Sequence, residues 1–455
     1  MVRKYGRYRK LLLLLGDIFF IILSVYLAVA IRLGPDNVLV SFTGATTFVV
    51  VVYTLCFYVF DLYGLKYKVT NTIFLAQYVL AVCVGALMVT VVFYAVPNWK
   101  FGRGIVLLNT FFIASLVYLW RVLLQNCFSF IQKNRVLIAG AGVSGRAIYG
   151  ILKERDEYEI EGFVDDDQTL FGERIGDHAV LGDSGKVPEI IQQGKVDAII
   201  VAITHEKRGE LLSVLLEAKM SGITVVDVQK VYEDITGKLA VNHLREGWLV
   251  YSELKGLEGG IYAKKAKPII SYILASLMAI ALLPVCFLAA ALIFIESGRP
   301  VFFTQKRVGL NGKLFEIVKF RSMIVGAEEK GAVWTVKNDS RITSIGRIIR
   351  RLRVDEIPQL INVIKGEMSL IGPRPERPEF IEELTGAVPF YSFRHVVKPG
   401  ITGWAQVNYR YGASVEDALE KMQYDLFYVK NLSVVLDLRI ILKTVRVVLL
   451  GAGAR

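Results

Sequence analysis

Apolar residues in this chain gather into blocks of two lengths, separated by polar, glycine-bearing segments. Four blocks in the first third run over about 11–33, 43–60, 73–96 and 105–124. Each is near the ~20 residues a helix needs to cross the hydrocarbon core, so the pattern predicts a four-transmembrane-helix block over 1–133. Shorter apolar runs follow at 135–139, 161–164, 198–203 and 224–228, with helical patterns between them. Strands alternating with helices predict a parallel sheet, which places an α/β domain at 134–250. A fifth block, 268–295, is long enough to span but basic at both ends, with Lys264, Lys265 and Lys267 before it and Arg299, Lys306 and Arg307 after. A straight span would set one cluster on the wrong side, and Pro284 removes a backbone hydrogen bond within the block. Together these predict a helix–break–helix that enters and leaves by one face. The last pattern, 436–450, mixes Asp437, Arg439, Lys443 and Arg446 with Leu, Ile and Val. It reads as an interfacial helix, with a core helix of one basic face as the alternative.

Composition supports the block reading. Hydrophobic residues are 54% of the 455 and the mean hydropathy is +0.46, above the roughly 45–50% apolar share of ordinary globular chains. The chain is therefore read as an integral membrane protein carrying soluble domains. The net charge of +12 comes with no zinc-finger spacing and no long basic tail, so it points to cytoplasmic loops and anionic membrane lipid, not nucleic acid. Arg3, Lys4, Arg7, Arg9 and Lys10 precede the first block, and the loop 35–41 has no Lys or Arg. Lys66, Lys68, Lys100 and Arg103 do not discriminate, while the end of the fourth block has Arg121, Lys133 and Arg135. Both ends of the four-span block are thus expected inside, with the soluble domains cytoplasmic. Cys56, Cys83, Cys127 and Cys286 lie far apart in or beside apolar blocks and read as buried thiols, not disulfides or metal ligands. The first block runs on without a small-residue cleavage site, so no cleavable leader is expected.

Two regions carry candidate chemistry. Gly140-x-Gly142-x-x-Gly145 follows a strand and opens a helix, with Asp165 twenty residues beyond. That is the context of a Rossmann-like dinucleotide turn, in which glycines admit the phosphates and a carboxylate takes the ribose. A Tyr-x-x-x-Lys pair, the proton relay of a dehydratase, occurs at Tyr251–Lys255, but 21 tyrosines supply about one such match by chance. No second substrate-binding half precedes the next membrane block, so a structural or ligand-sensing role is favoured for this domain.

The denser region is 319–410. Asp355-Glu356-Ile357-Pro358 precedes an apolar-periodic run, which puts Asp355 at or near a helix N-cap with Pro358 in the first turn. Alone, the pair reads as a cap. Its neighbours change that: Arg347, Arg350, Arg351 and Arg353 come just before, Lys319 and Arg321 lie upstream, and Gly372-Pro373-Arg374-Pro375 follows. Two carboxylates amid that much positive charge suit phosphate chemistry, one as nucleophile and the other holding Mg²⁺ against a diphosphate. Arginines and a helix N-terminus would keep the nucleophile ionised.

Five ordered motifs in this region resemble the bacterial sugar transferase family, the monotopic polyprenyl-phosphate glycosyl-1-phosphate transferases. They are KFRSM at 319–323, NDSRIT at 338–343, VDEIPQL at 354–360, KGEMSLIGPRP at 365–375 and VKPGITGWAQV at 397–407. The resemblance covers about 261–451, and the upstream parts resemble the long form that starts exopolysaccharide, capsule or O-antigen assembly. It implies transfer of sugar-1-phosphate from a UDP-sugar to undecaprenyl phosphate at the cytoplasmic face of the inner membrane, with release of UMP. By motif, it implies Asp355 as the nucleophile forming a phospho-sugar intermediate and Glu356 as the Mg²⁺ ligand. Arg350 would contact the lipid phosphate, Arg374 the nucleotide diphosphate, and Lys319 and Arg321 the phosphates; Arg410 and Asp425 join as substrate-site residues. The fold implied is a membrane α-helical bundle, a Rossmann-like α/β domain and, over 251–455, an α-rich monotopic catalytic domain whose re-entrant helix is 268–295. The family turns that helix at a Ser-Pro pair; here it is Leu283-Pro284. Two other classes stand beside this one: a membrane-anchored NAD-dependent dehydratase or epimerase on Gly140–Gly145, and a non-catalytic assembly scaffold. The residues do not name the sugar, and they leave homo-oligomer formation open.

Overall fold

The N-terminal apolar blocks are helices in the computed structural model, which describes residues 2–34, 44–63, 69–96, 102–129, 133–155, 157–203, 209–241, 252–327, 339–409 and 414–449. Val2–Leu33, Thr72–Ala95 and Arg103–Ser129 each contain a span long and apolar enough to cross a bilayer. Gly44–Val59 has 16 residues, about 24 Å at 1.5 Å per residue against ~30 Å of hydrocarbon. It stops where Asp61 turns the chain at φ 60° and the Leu62 N–H donates to Phe57 O at 2.9 Å. Among the described residues, three of the four expected helices are long and apolar enough to cross a bilayer, and Gly44–Val59 is shorter. The first and third helices each pack on the second and fourth, around Ile21, Tyr53, Phe57, Tyr78, Ile113 and Val117.

Arg121 lies wholly inside this bundle. It pairs with Asp17 and donates to Leu62 O at 2.6 Å. A charge counted toward orientation is therefore neutralised among the helices, and the positive-inside argument rests on Lys133, Arg135 and the N-terminal cluster. Cys56 is buried, but Cys83 and Cys127 are exposed on their helices, which corrects the reading of four buried thiols. The loop charges Lys66, Lys68 and Lys100, like Tyr251 and Arg410, lie outside the described residues.

The predicted strands form a parallel sheet in the order Tyr158–Val164, Asn134–Ala139, Ala198–Val201 and Thr224–Asp227. Crossover helices cover both faces, so the central strands read as unbroken apolar runs; every side chain of Ala198–Val201 is buried.

The chain divides into two compact units after Val228. In the second unit, helices Lys267–Ala281 and Leu283–Ser297 meet at a 59° bend. The break falls at Leu282, two residues before Pro284, because a proline cannot extend the ladder of the helix preceding it. Both halves expose large apolar side chains around their circumference, among them Ile269, Ile273, Leu277, Phe287, Leu288 and Ile295. Such a surface suits lipid and not water. Narrow seams are buried: Ala275 packs with Phe315, Ile317 and Val363, and Ala289 and Ile293 pack with Phe320 and Ile349. The bent pair thus grips the strand Leu314–Phe320, which pairs antiparallel with Phe302–Val308.

Candidate active site

The acidic pair sits on a short 3₁₀ turn, Val354–Gln359, packed on the strand Leu314–Phe320 that carries Lys319. The residue that opens this turn is Arg353, in the left-handed region at φ 59°, and Asp355 stands second within it. Asp355 is therefore not an N-cap. Both carboxyls are buried, yet differently partnered. Glu356 Oε1 accepts from Arg374 Nη2 at 2.9 Å and ion-pairs Arg353 Nη1 at 3.6 Å. Asp355 Oδ1 is buried with no hydrogen-bond partner among the described residues.

Electrostatics separates the two further. Burial, and then the charge of Glu356, push the Asp355 carboxyl up, against the pull of Lys319, Arg350 and Arg353. Burial also acts on Glu356, but Arg374, Lys319 and Arg353 outweigh it and hold that carboxyl well below the usual range. The expectation that arginines and a helix N-terminus keep Asp355 ionised meets an opposing effect, because desolvation is the largest influence on this carboxyl and raises it. Lys319 is drawn down to about 8 by desolvation and by Arg374. Of the arginine-rich helix Ser344–Arg351, Arg350 faces the site and donates from Nε to Ser322 Oγ at 2.7 Å, whereas Arg347 and Arg351 are exposed.

Asn362 fixes the Lys319 strand to this turn. Its Oδ1 accepts from the Val318 N–H at 3.1 Å, and its Nδ2 donates to Glu316 O at 2.6 Å and Glu367 Oε2 at 2.8 Å. The side chain behaves like an extra strand residue. Asn362→Ala leaves both strand groups unpaired, so a loss of about 1–2 kcal/mol in stability is expected, visible as a thermal midpoint several degrees lower; an unchanged midpoint would contradict this role.

Arg374 is placed by close backbone packing. A Cβ on Gly400 would stand 2.0 Å from Gly372 N, and one on Gly403 would stand 2.1 Å from Gly372 O. The GPRP and KPGITG motifs interlock here, with Gly372 N–H donating to Thr402 O and Gly400 N–H to Pro373 O, both at 2.9 Å. Only glycine allows that approach.

Two predicted residues stand apart from the acidic pair. Arg321 is buried, and its Nη2 donates to Ser297 O at 2.7 Å, Ser297 Oγ at 2.6 Å and Gly298 O at 2.8 Å. It caps the C-terminus of the bent helix pair, where a cation complements the carbonyls. Asp425, on the helix Val415–Asn431, is 1% exposed and ion-paired at 2.9 Å with Arg394, a residue the motifs did not single out. In the α/β domain, Gly140, Gly142, Gly145 and Asp165 do converge on one turn. There Asp165 accepts from the Ala141 N–H at 2.7 Å and the Asp167 N–H at 3.0 Å, so both oxygens engage the domain's own backbone.

Comparison with known proteins follows this division. A model described as bacterial sugar transferase matches residues 262–451, and one for the PglD N-terminal domain matches 135–210. The chain is 41% identical over 265 residues to the UDP-N-acetylgalactosamine-undecaprenyl-phosphate N-acetylgalactosaminephosphotransferase of Aeromonas hydrophila, covering 57% of this chain and 61% of that one. It is 32% identical over 332 residues to the UDP-glucose:undecaprenyl-phosphate glucose-1-phosphate transferase of Klebsiella pneumoniae, covering 69% and 67%. A Caulobacter vibrioides protein of the same name is 36% identical over 181 residues, covering 39% of this chain and 68% of that protein. The chain thus spans a little under two thirds of the Aeromonas relative and about two thirds of the other two.

Proposed function

Because the chain belongs to the bacterial sugar transferase family, we propose that it transfers a sugar 1-phosphate from a UDP-sugar to undecaprenyl phosphate, releasing UMP. The observation that carries this reading is the division of labour in the acidic pair: Glu356 is held by two arginines, while Asp355 keeps a buried oxygen without a hydrogen bond among the described residues. In the first step that oxygen attacks the phosphorus bearing the sugar. An aspartyl O–P bond forms, the bridging P–O bond breaks, and UMP leaves with the bonding pair. In the second step a phosphate oxygen of the lipid attacks the same phosphorus, and the aspartyl O–P bond breaks to regenerate the carboxylate. No further reactant is needed.

Lys319, Arg350 and Arg353 all act on the Asp355 charge and supply the positive field that transferring phosphoryl oxygens require. Arg350 is assigned to the lipid phosphate and Arg374 to the nucleotide or its diphosphate, with Arg410 a further substrate-site residue. Magnesium suits the donor set: a hard ion that keeps several waters needs only one or two carboxylates beside substrate phosphates. Glu356 is its assigned ligand, and the ion when bound supplies neutralisation of diphosphate charge.

We read the bent helix pair as a re-entrant hairpin, its two basic flanks on the cytoplasmic side of a bacterial inner membrane. A hairpin of this kind sets the soluble site at headgroup depth, where lipid phosphate and water-soluble donor can meet. Partition into the bilayer adds proximity to the lipid substrate.

The two nearest-named chemistries among the relatives differ in sugar, N-acetylgalactosamine in one and glucose in the others. Purified protein should therefore be tested with a panel headed by those two UDP-sugars, reading released UMP. Sustained UMP release that needs both one UDP-sugar and undecaprenyl phosphate is expected. Release indifferent to the lipid, or none from any donor, would sink the proposal.

A further inference from the structure

We infer that Arg394 is a positioning residue for the transfer, holding the Arg374 backbone so that the Arg374 guanidinium reaches Glu356. The inference rests on the transfer chemistry proposed above. Arg394 lies on the short helix Tyr391–Val396 and is 4% exposed. Its Nη1 donates to Tyr391 Oη at 2.5 Å, and its Nη2 donates to Arg374 O at 2.9 Å while ion-pairing Asp425 Oδ2 at 2.9 Å. Glu376 Oε1 stands 3.9 Å from Nη1.

A buried charge pair is a poor way to gain stability, since apolar residues of similar volume do as well or better. What a packed leucine cannot do is grip a carbonyl. The carbonyl gripped here belongs to the one residue of Gly372-Pro373-Arg374-Pro375 that touches the acidic pair. Pro375 restricts the backbone of the residue before it, and the clamp on its carbonyl fixes the rotation that remains. The other end of the segment is held too, because Gly372 N–H donates to Thr402 O and Gly400 N–H donates to Pro373 O, both at 2.9 Å. From the helix Val415–Asn431, Asp425 holds Arg394, and through it the carbonyl of Arg374. Arg394 itself makes no bond to Glu356; its route to the acidic pair runs through Arg374.

The test is a double-mutant cycle in turnover, with thermal midpoints measured alongside. Removing the charge pair together, as Arg394→Met with Asp425→Asn, avoids stranding a buried carboxylate. We expect kcat to fall about 10- to 100-fold, the scale of a misplacement near 1 Å, with the midpoint shifted by only a few degrees. In an Arg374→Ala background the same change should alter kcat less than about twofold, since coupled residues fail additivity. Losses that multiply across the cycle, or wild-type kcat in the charge-pair variant, would overturn the role. If that variant does not fold, Arg394→Lys replaces it: the ammonium still faces Asp425 but cannot span tyrosine and carbonyl with a planar fork. Reduced kcat in folded Arg394→Lys supports the role, and wild-type kcat overturns it. Wild-type protein run in parallel separates the two readings, because no turnover there sinks the transfer reading itself, whereas multiplied losses in an active background sink only Arg394.

Discussion

Asp355→Asn is expected to cost at least about a thousandfold in sugar-phosphate transfer and to leave the protein folded. The change keeps the shape of the side chain and replaces the anionic carboxylate with a neutral amide, too weak a nucleophile to take phosphorus. It should not unfold the site, because burial already disfavours the charged form of Asp355, and a neutral amide relieves that penalty. A donor radiolabelled in its sugar phosphate should leave label on wild-type protein when the lipid acceptor is withheld, and none on Asp355→Asn. Equal labelling of the two, or appreciable turnover by the variant, would rule out the covalent route. A folded, inactive variant also excludes the scaffold reading if cells carrying it lose the polymer.

Glu356→Gln should lower the plateau of kcat about a hundredfold or more and displace its pH dependence. Burial first and Glu356 second hold Asp355 up at about 6. Only the ionised carboxylate attacks, so the wild-type rate falls as pH drops through that value. Substituting Gln removes the second of the two causes, and the carboxyl of Asp355 then ionises at lower pH. The acid limb of the kcat profile should therefore move toward lower pH even as the plateau drops. A limb that stays in place or moves upward would show that Glu356 does not set the charge state of its neighbour.

Much of this architecture is legible in the order of residues, and the failures have physical causes. The long apolar blocks and the parallel strands follow from periodicity alone. Asp355 and Glu356 stand out because two adjacent acids fall among Arg347, Arg350, Arg351, Arg353 and Arg374. Asp355 falls near the cap of its turn and not at it, two residues inside, since Arg353 takes a left-handed backbone that no local pattern announces. Arg321 sits two residues from Lys319 and in a continuing strand would share its face, but the strand ends at Phe320 and the chain carries Arg321 onto Ser297. The interlock of Gly372 with Gly400 joins segments far apart in sequence, so neither motif reveals why it needs glycine. Arg394 falls in a stretch without periodicity, and its only signal is proximity in space. Asp165 has the spacing of a ribose ligand, but spacing says nothing about which oxygens the domain itself engages.

The bent helix pair has one more consequence. Its first half begins at Lys267, bonded to Tyr428 and Asp437, and its second ends at Ser297, gripped by Arg321. Both feet are therefore bolted to the same soluble core. A helix with a free end meets a thicker or thinner bilayer by tilting or sliding; this pair cannot slide without lifting the whole domain. On the re-entrant reading proposed above, acyl-chain length in the surrounding lipid would act as a height adjustment, raising or lowering the Asp355 carboxyl relative to the plane of the acceptor's phosphate.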